Sequence, residues 1–186
     1  EHRALPMLIA LLEEEDLVIK KDSVTALCNL VVHPETKRAT IDSGVIKALV
    51  GLSRASDVTL NQVCALALFN LSCSREIHDT ILEQGGTQAM VTLVGSGNPE
   101  VASNCVKAIF NMSLGDESRR QMIDRRGVPV IVQVAERSGT PPALRKMIAA
   151  LLFNLSLMPG GLETMVADGA ARCAIALARV PSKETK

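Results

Sequence analysis

The chain has no tryptophan, no tyrosine and only three phenylalanines among its 186 residues. Its 20 basic and 20 acidic residues balance, so no excess of positive charge indicates binding to nucleic acid or to an anionic surface. No apolar run reaches the ~18 residues that a membrane-spanning helix requires. We therefore expect no membrane span, and nucleic acid is disfavoured as a partner.

The cysteines and histidines give no pattern of a metal site or of a disulfide framework. The five cysteines are odd in number and include no Cys-x-x-Cys pair, and the three histidines have no ligand spacing. Cys28, Cys64 and Cys105 fall on positions that we expect to be buried in helices. We predict no metal, no cofactor and no small-molecule substrate. A reducing compartment follows, with the cytoplasm favoured and a nuclear, ciliary or cytoskeletal location as alternatives.

The three phenylalanines share one context, because each immediately precedes an asparagine. A fourth copy of this word has cysteine in place of phenylalanine. The asparagines are 41, 41 and 43 residues apart. A period of about 40 residues is typical of helical repeat proteins, whose units bury their apolar faces only by stacking. The four words are Cys28-Asn29-Leu30, Phe69-Asn70-Leu71-Ser72, Phe110-Asn111-Met112-Ser113 and Phe153-Asn154-Leu155-Ser156.

Other residues recur in the same register. Glycine follows each asparagine after 15 or 16 residues, and a short apolar stretch follows each glycine. Glycine at this point permits the positive φ or the close backbone approach of a sharp helix–helix corner. Asp16, Asp57 and Asn98 stand where the long asparagine-bearing helix should begin, as N-caps. The four corner glycines are Gly44, Gly85, Gly127 and Gly169.

The long helix is apolar on two flanks. At about 100° per residue, one set of apolar positions lies on one side of the asparagine and a second set on the other, which predicts neighbours on both sides. Only a strip about 60° wide is left free, formed by the asparagine and the residues four and seven positions before it. In the four copies these residues are Asp22, Thr25 and Asn29; Val63, Leu66 and Asn70; Asn104, Lys107 and Asn111; and Met147, Ala150 and Asn154.

The period, the corner glycine and the Ala-Leu-x-Asn-Leu pattern together resemble armadillo repeats. The resemblance covers essentially the whole chain and implies an all-α, right-handed α-solenoid with three helices per repeat. Its third helices would line a concave groove that binds partner proteins. We expect one armadillo array over residues 1–186, truncated at both ends. Complete repeats would span about 30–70, 71–111 and 112–154, with partial repeats at 1–29 and 155–186.

The four asparagines are the first candidates for partner binding. A side-chain amide offers a donor and an acceptor, which match the two polar groups of a peptide backbone. Helices packed ~8–10 Å apart are spanned by about three residues of extended chain. In armadillo proteins the matching asparagine grips an extended peptide, and the resemblance carries this role to Asn29, Asn70, Asn111 and Asn154. The structural alternative is that each amide caps a carbonyl at its own helix end or in the following turn.

The remaining strip residues should provide the side-chain pockets. An apolar anchor near Val63 and Leu66, with a carboxylate near Lys107, is the ligand pattern that we favour. Receptors of the importin-α type carry tryptophan four residues before the asparagine, where this chain has Thr25, Leu66, Lys107 and Ala150. A receptor for basic signals is therefore disfavoured, and the groove is not strongly basic like that of β-catenin.

We predict a non-catalytic protein–protein interaction scaffold that binds extended segments, or a helical partner, in this groove. Two alternatives remain open. The words Ala-Leu-Phe-Asn-Leu-Ser and Leu-Leu-Phe-Asn-Leu-Ser resemble the substrate-recruiting regions of U-box ubiquitin ligases, whose catalytic domain is separate. The array could also be a permanent part of a cytoskeletal or axonemal assembly. A further candidate surface is a small basic rim for an acidic partner, formed by Arg119, Arg120, Arg125 and Arg126.

Overall fold

The computed structural model describes residues 4–178, which contain helices and no strand. They form two compact units, Glu1–Asn111 and Met112–Lys186. The division falls at the boundary that we predict between the second and third complete repeats. Residues 1–3 and 179–186, at the outer ends of the two predicted partial repeats, lie outside the described part.

The first unit holds a partial repeat and two repeats of three helices. Helix α8 ends on the first residue of the second unit. The partial repeat has α1 (Ala4–Ala10), a 3-10 turn (Leu11–Glu13) and α2 (Leu17–Val32). The next repeat has α3 (Pro34–Asp42), α4 (Val45–Leu52) and α5 (Val58–Ser72). The last has a 3-10 turn (Arg75–Ile77), α6 (His78–Glu83), α7 (Gly86–Val94) and α8 (Pro99–Met112).

The second unit holds one repeat of three helices followed by two further helices. The complete repeat consists of α9 (Asp116–Asp124), α10 (Gly127–Glu136) and α11 (Pro142–Ser156). The two helices that follow are α12 (Leu162–Ala167) and α13 (Ala170–Ala178). The predicted all-α architecture of three-helix repeats is therefore confirmed.

The third helices begin where the sequence places their N-caps. The Asp16 carboxylate accepts a hydrogen bond from the Val18 N–H at 2.7 Å, and the Asp57 carboxylate accepts one from the Leu60 N–H at 2.7 Å. The Asn98 side-chain oxygen accepts from two N–H groups of the first turn of α8. Each cap satisfies N–H groups that have no partner inside the helix.

The helix–helix corners depend on a left-handed residue. Gly44, Gly85 and Gly169 have φ values of 93°, 84° and 88°. The third corner differs from the prediction, because Arg126 takes the left-handed conformation at φ 58° and Gly127 follows it. Gly127 serves close packing instead, since an added Cβ there would lie 1.8 Å from the Met122 sulfur.

Burial follows the predicted flanks in α5 and α8 of the first unit, whereas Ile19 of α2, expected on a packed flank, is 38% exposed. In α5, Leu60, Cys64 and Leu68 are buried on one flank and Ala65 on the other. Burying a leucine side chain fully stabilises a fold by ~1.5–3 kcal/mol. In α11 the second flank is not covered as predicted, because Phe153 is 63% exposed. The described part of the second unit has no third helix after α11 to cover it.

The cysteines on these helices are buried as predicted. Burial raises the pKa of the Cys28 and Cys64 thiols to about 12 each, and it also raises the pKa of Cys105. A thiol that stays protonated at neutral pH is a poor nucleophile and a poor metal ligand. These three cysteines therefore act as small apolar side chains of the core.

Replacing Gly85 with alanine should lower the free energy of unfolding by about 1–2 kcal/mol, because the left-handed conformation is costly for a residue with a Cβ. The matched control is Gly51→Ala, in α4, where an added Cβ meets no atom within 4 Å. That change should stabilise the protein by about 0.5–1 kcal/mol. Chemical denaturation measures both values. Equal effects of the two substitutions would contradict this account of the corner.

Asp57 links a helix cap to a contact between neighbouring repeats. Its carboxylate caps α5, and one oxygen lies 3.1 Å from the Lys21 ammonium of α2. The hydrogen bond from the Leu60 N–H, followed by the bond from Lys21, lowers the pKa of Asp57 below its ordinary value. A lowered pKa in the folded state makes the charged carboxylate a stabilising group.

The stability that Asp57 contributes should therefore depend on pH in a defined direction. It is fully present above the ordinary aspartate pKa of about 3.9 and is lost as the pH falls through the lowered folded-state value. The difference in unfolding free energy between the parent protein and Asp57→Asn should shrink as the pH is lowered from 5 towards 2. Denaturation at each pH measures this difference. A difference that is constant with pH would contradict the assignment.

Candidate partner-binding surface

The predicted strip lies at the surface in the first unit, with one exception. Asn104 is the exception, because it is only 9% exposed and offers little surface to a partner. The expectation that it lies free on the strip is therefore wrong. It lies on α8, where Cys105 beside it and Ala102 two residues earlier are also buried. The exposed strip residues are Asp22, Thr25, Asn29 and Leu66, and the half-buried ones are Val63, Asn70, Lys107 and Asn111.

In the second unit the three strip residues of α11 also reach the surface. Ala150 is exposed, whereas Met147 and Asn154 are half-buried. Partner binding at all these positions stays a prediction.

In the first unit, α5 lies between α2 and α8. On one side the Cys28 thiol of α2 is 3.6 Å from the Val63 carbonyl oxygen of α5 and donates to it. On the other side the Gln62 amide donates to the Glu100 carboxylate of α8 at 2.5 Å. The strip residues of α2, α5 and α8 therefore lie on neighbouring helices.

Lys107 is held beside an aromatic ring of the preceding repeat. Its ammonium nitrogen lies 5.7 Å from the centroid of the Phe69 ring, within the range of a cation–π interaction. Such an interaction is worth about 0.5–1 kcal/mol at an exposed site and restricts the lysine side chain. The Phe69 ring thus positions the Lys107 ammonium one repeat after the exposed Leu66 side chain.

The Asn111 amide bonds to the preceding repeat. Its nitrogen donates to the Ser72 hydroxyl oxygen at 3.0 Å and approaches the Cys73 sulfur at 3.7 Å. The Ser72 hydroxyl in turn donates to the Phe69 carbonyl oxygen at 2.7 Å. Asn111 therefore turns its amide nitrogen into the protein, and its bonds go to a hydroxyl and a thiol sulfur rather than to a carbonyl as the structural alternative supposed.

The second unit repeats this bond. The Asn154 amide nitrogen donates to the Ser113 hydroxyl oxygen at 2.8 Å, again in the repeat before it. Asn29 and Asn70 differ, because the described residues give neither side-chain amide a hydrogen bond. The four asparagines are therefore equivalent in sequence but fall into two pairs in structure.

Sequence reasoning missed the two serines. Both belong to the repeated words, two residues after an asparagine, and both are buried, Ser72 to 1% and Ser113 to 2% exposure. The signal was present in the sequence, because a polar residue recurs at a position that faces the next repeat. The word containing Asn29 has Val31 at the same position.

The candidate basic rim is largely neutralised. Arg119 pairs with Asp116, Arg120 lies 3.2 Å from Glu117, and Arg126 lies 2.9 Å from Asp168. The Arg119 guanidinium also donates to the Ser113 carbonyl oxygen. Three of the four arginines are thus engaged within the protein and offer an acidic partner little free charge.

Residues 4–178 contain no group of three or more histidine, cysteine, aspartate or glutamate side chains that could hold a metal ion. No helix among these residues has both the length and the apolar character needed to cross a membrane.

Comparison with known proteins identifies the repeat. The family model of the armadillo/beta-catenin-like repeat matches residues 1–32 and 33–73. The structure is similar to computationally designed armadillo repeat proteins for modular peptide recognition, with TM-score 0.85, 22% identity and coverage of 98% of this chain and 77% of that one. Residues 1–73 therefore match the armadillo repeat family, and the chain has the armadillo fold.

Other solved armadillo structures are similar to the same degree. One is a designed armadillo repeat protein in complex with the peptide (KR)4, with TM-score 0.83, 19% identity and coverage of 97% of this chain and 77% of that one. Another is the armadillo repeats only protein from Plasmodium falciparum, with TM-score 0.79, 17% identity and coverage of 97% and 87%. No curated protein matches the chain. At these identities the similarity establishes the armadillo fold.

Proposed function

We propose that this armadillo repeat protein is a non-catalytic scaffold whose third-helix strip binds an extended segment of a partner protein. The observation that carries the proposal is the recurrence of surface amides at one position of successive third helices, two of them held in place by the preceding repeat. Peptide binding by a designed armadillo relative supports this use of the fold.

The strip also favours a particular segment chemistry. In the first unit, Leu66 is 43% exposed on α5, and the Lys107 ammonium is positioned on the next third helix by Phe69. A segment with an apolar side chain at one point and a carboxylate about three residues later would match both, because extended chain advances ~3.3 Å per residue. An acidic–apolar segment is therefore our proposed partner.

The asparagines alone cannot supply the required affinity. Four side-chain hydrogen bonds at ~0.5–1.5 kcal/mol each give ~2–6 kcal/mol in total. Micromolar binding corresponds to about 8 kcal/mol. The apolar anchor at Val63 and Leu66 and the cation at Lys107 would have to supply the difference.

The test uses a fluorescent, capped (Leu-Glu)4 peptide, in which a glutamate lies three residues after every leucine except the last. Fluorescence anisotropy measures its affinity for the protein and for Asn111→Ala. Loss of one backbone-directed amide should weaken binding by about 2- to 10-fold. The matched control, Gln88→Ala, removes an amide from a second helix, α7, and should have no effect. Equal affinities of all three proteins, or no binding of the peptide, would overturn the proposal.

Charge reversal tests the segment chemistry separately. Lys107→Glu should weaken (Leu-Glu)4 binding by about 3- to 10-fold, since an attractive pair becomes a repulsive one at a partly exposed site. The same variant should bind a (Lys-Arg)4 peptide more tightly than the parent protein does. If the two affinities do not move in opposite directions, the carboxylate preference is wrong even though the scaffold proposal stands.

A further inference from the structure

The hydrogen-bond chain at Ser72 determines which way the Asn111 amide faces. A serine hydroxyl has one proton, and the Ser72 proton is committed to the Phe69 carbonyl oxygen at 2.7 Å. Toward Asn111 the Ser72 oxygen can therefore act only as an acceptor. The amide must turn its nitrogen to Ser72, at 3.0 Å, and hold its oxygen on the opposite side.

Ser72 is itself fixed from several directions. It is 1% exposed at the end of α5, and its carbonyl oxygen accepts a hydrogen bond from the His78 ring at 2.7 Å. Ser113 has the same features in the second unit, where it is 2% exposed and its carbonyl oxygen accepts from Arg119 at 2.9 Å. Both buried serine hydroxyls accept an amide hydrogen bond, Ser72 from Asn111 and Ser113 from Asn154.

The chain contains its own contrast. The residue that corresponds to Ser72 one repeat earlier is Val31, which is fully buried and has no polar side-chain group. The Asn70 amide, which would bond there, has no hydrogen bond among the described residues. Asn70 therefore has no hydrogen bond that fixes its amide, whereas the amides of Asn111 and Asn154 are each bonded to a serine.

We infer that Ser72 and Ser113 are positioning residues, which hold the amide nitrogens of Asn111 and Asn154 so that each amide presents its oxygen to the bound segment in a fixed orientation. The inference rests on the proposed function of the strip. A pre-oriented amide loses less conformational entropy on binding than a free one, so the serines should increase affinity without touching the segment.

The first test needs no ligand. In NMR spectra of the full chain, the Asn111 side-chain amide protons should exchange with water about 2- to 10-fold faster in Ser72→Ala than in the parent protein, because one hydrogen bond is lost. Val31→Ser should slow the exchange of the Asn70 amide by a similar factor. Backbone resonances far from the substituted residue should not change, which shows that each variant is folded. An Asn111 amide that exchanges equally fast with and without the Ser72 hydroxyl would overturn the inference.

The second test separates positioning from a general structural role. Affinity for (Leu-Glu)4 should fall by about 2- to 10-fold in Ser72→Ala but should not fall further when Ser72→Ala is added to Asn111→Ala. An equal loss in both backgrounds would show that Ser72 acts independently of Asn111. If Asn111→Ala weakens binding and Ser72→Ala does not, the inference fails and the proposed function stands. If neither the parent protein nor any variant binds, the proposed function fails, and the inference with it.

Discussion

The burial of the third helix on two flanks is the constraint on which the surface depends. In α5, Cys64 and Leu68 are buried on one flank and Ala65 on the other, so both faces are taken up by packing. What remains is a narrow strip that contains Val63, Leu66 and Asn70. The packing of neighbouring repeats therefore determines which side chains stay exposed to a partner. The period of about 41 residues places these side chains at the same position on successive third helices.

Stacking also creates the contacts that distinguish one asparagine from another. A side chain at the end of a third helix lies within reach of the next repeat. A polar residue there can therefore orient the asparagine amide of that next repeat. Ser72 does this for Asn111, while Val31 leaves Asn70 unanchored. The Lys107 ammonium over the Phe69 ring is a second contact of the same kind. The chemistry of the strip is therefore set by pairs of neighbouring repeats rather than by single helices.

The sequence predicted the features that repeat and missed those that depend on the neighbouring repeat. The period, the N-caps at Asp57 and Asn98 and the left-handed glycine at Gly85 follow from local rules and were found. The third corner was misplaced by one residue, because Arg126 takes the left-handed conformation that glycine usually holds. The left-handed conformation of an arginine next to a glycine cannot be inferred from residue propensities.

The side chains that were wrongly predicted also depend on contacts that the local sequence does not show. Asn104 is a polar residue on the predicted strip, yet the packing around α8 buries it. Predicting the anchoring of Asn111 would have required the position of the Ser72 hydroxyl proton. Only the surrounding hydrogen bonds define that position. Phe153 was expected on a packed flank, and it is exposed because the described part of the second unit has no third helix after α11.

The most direct measurement is the set of chemical-shift changes that (Leu-Glu)4 causes across the isotope-labelled protein. If the amide-bearing faces of the third helices receive the partner, the largest changes should fall on Leu66, Lys107 and the Asn111 side-chain amide. Resonances of the first and second helices α3, α4, α6 and α7 should move little. Changes concentrated on those four helices, with the third-helix strip unaffected, would contradict the account.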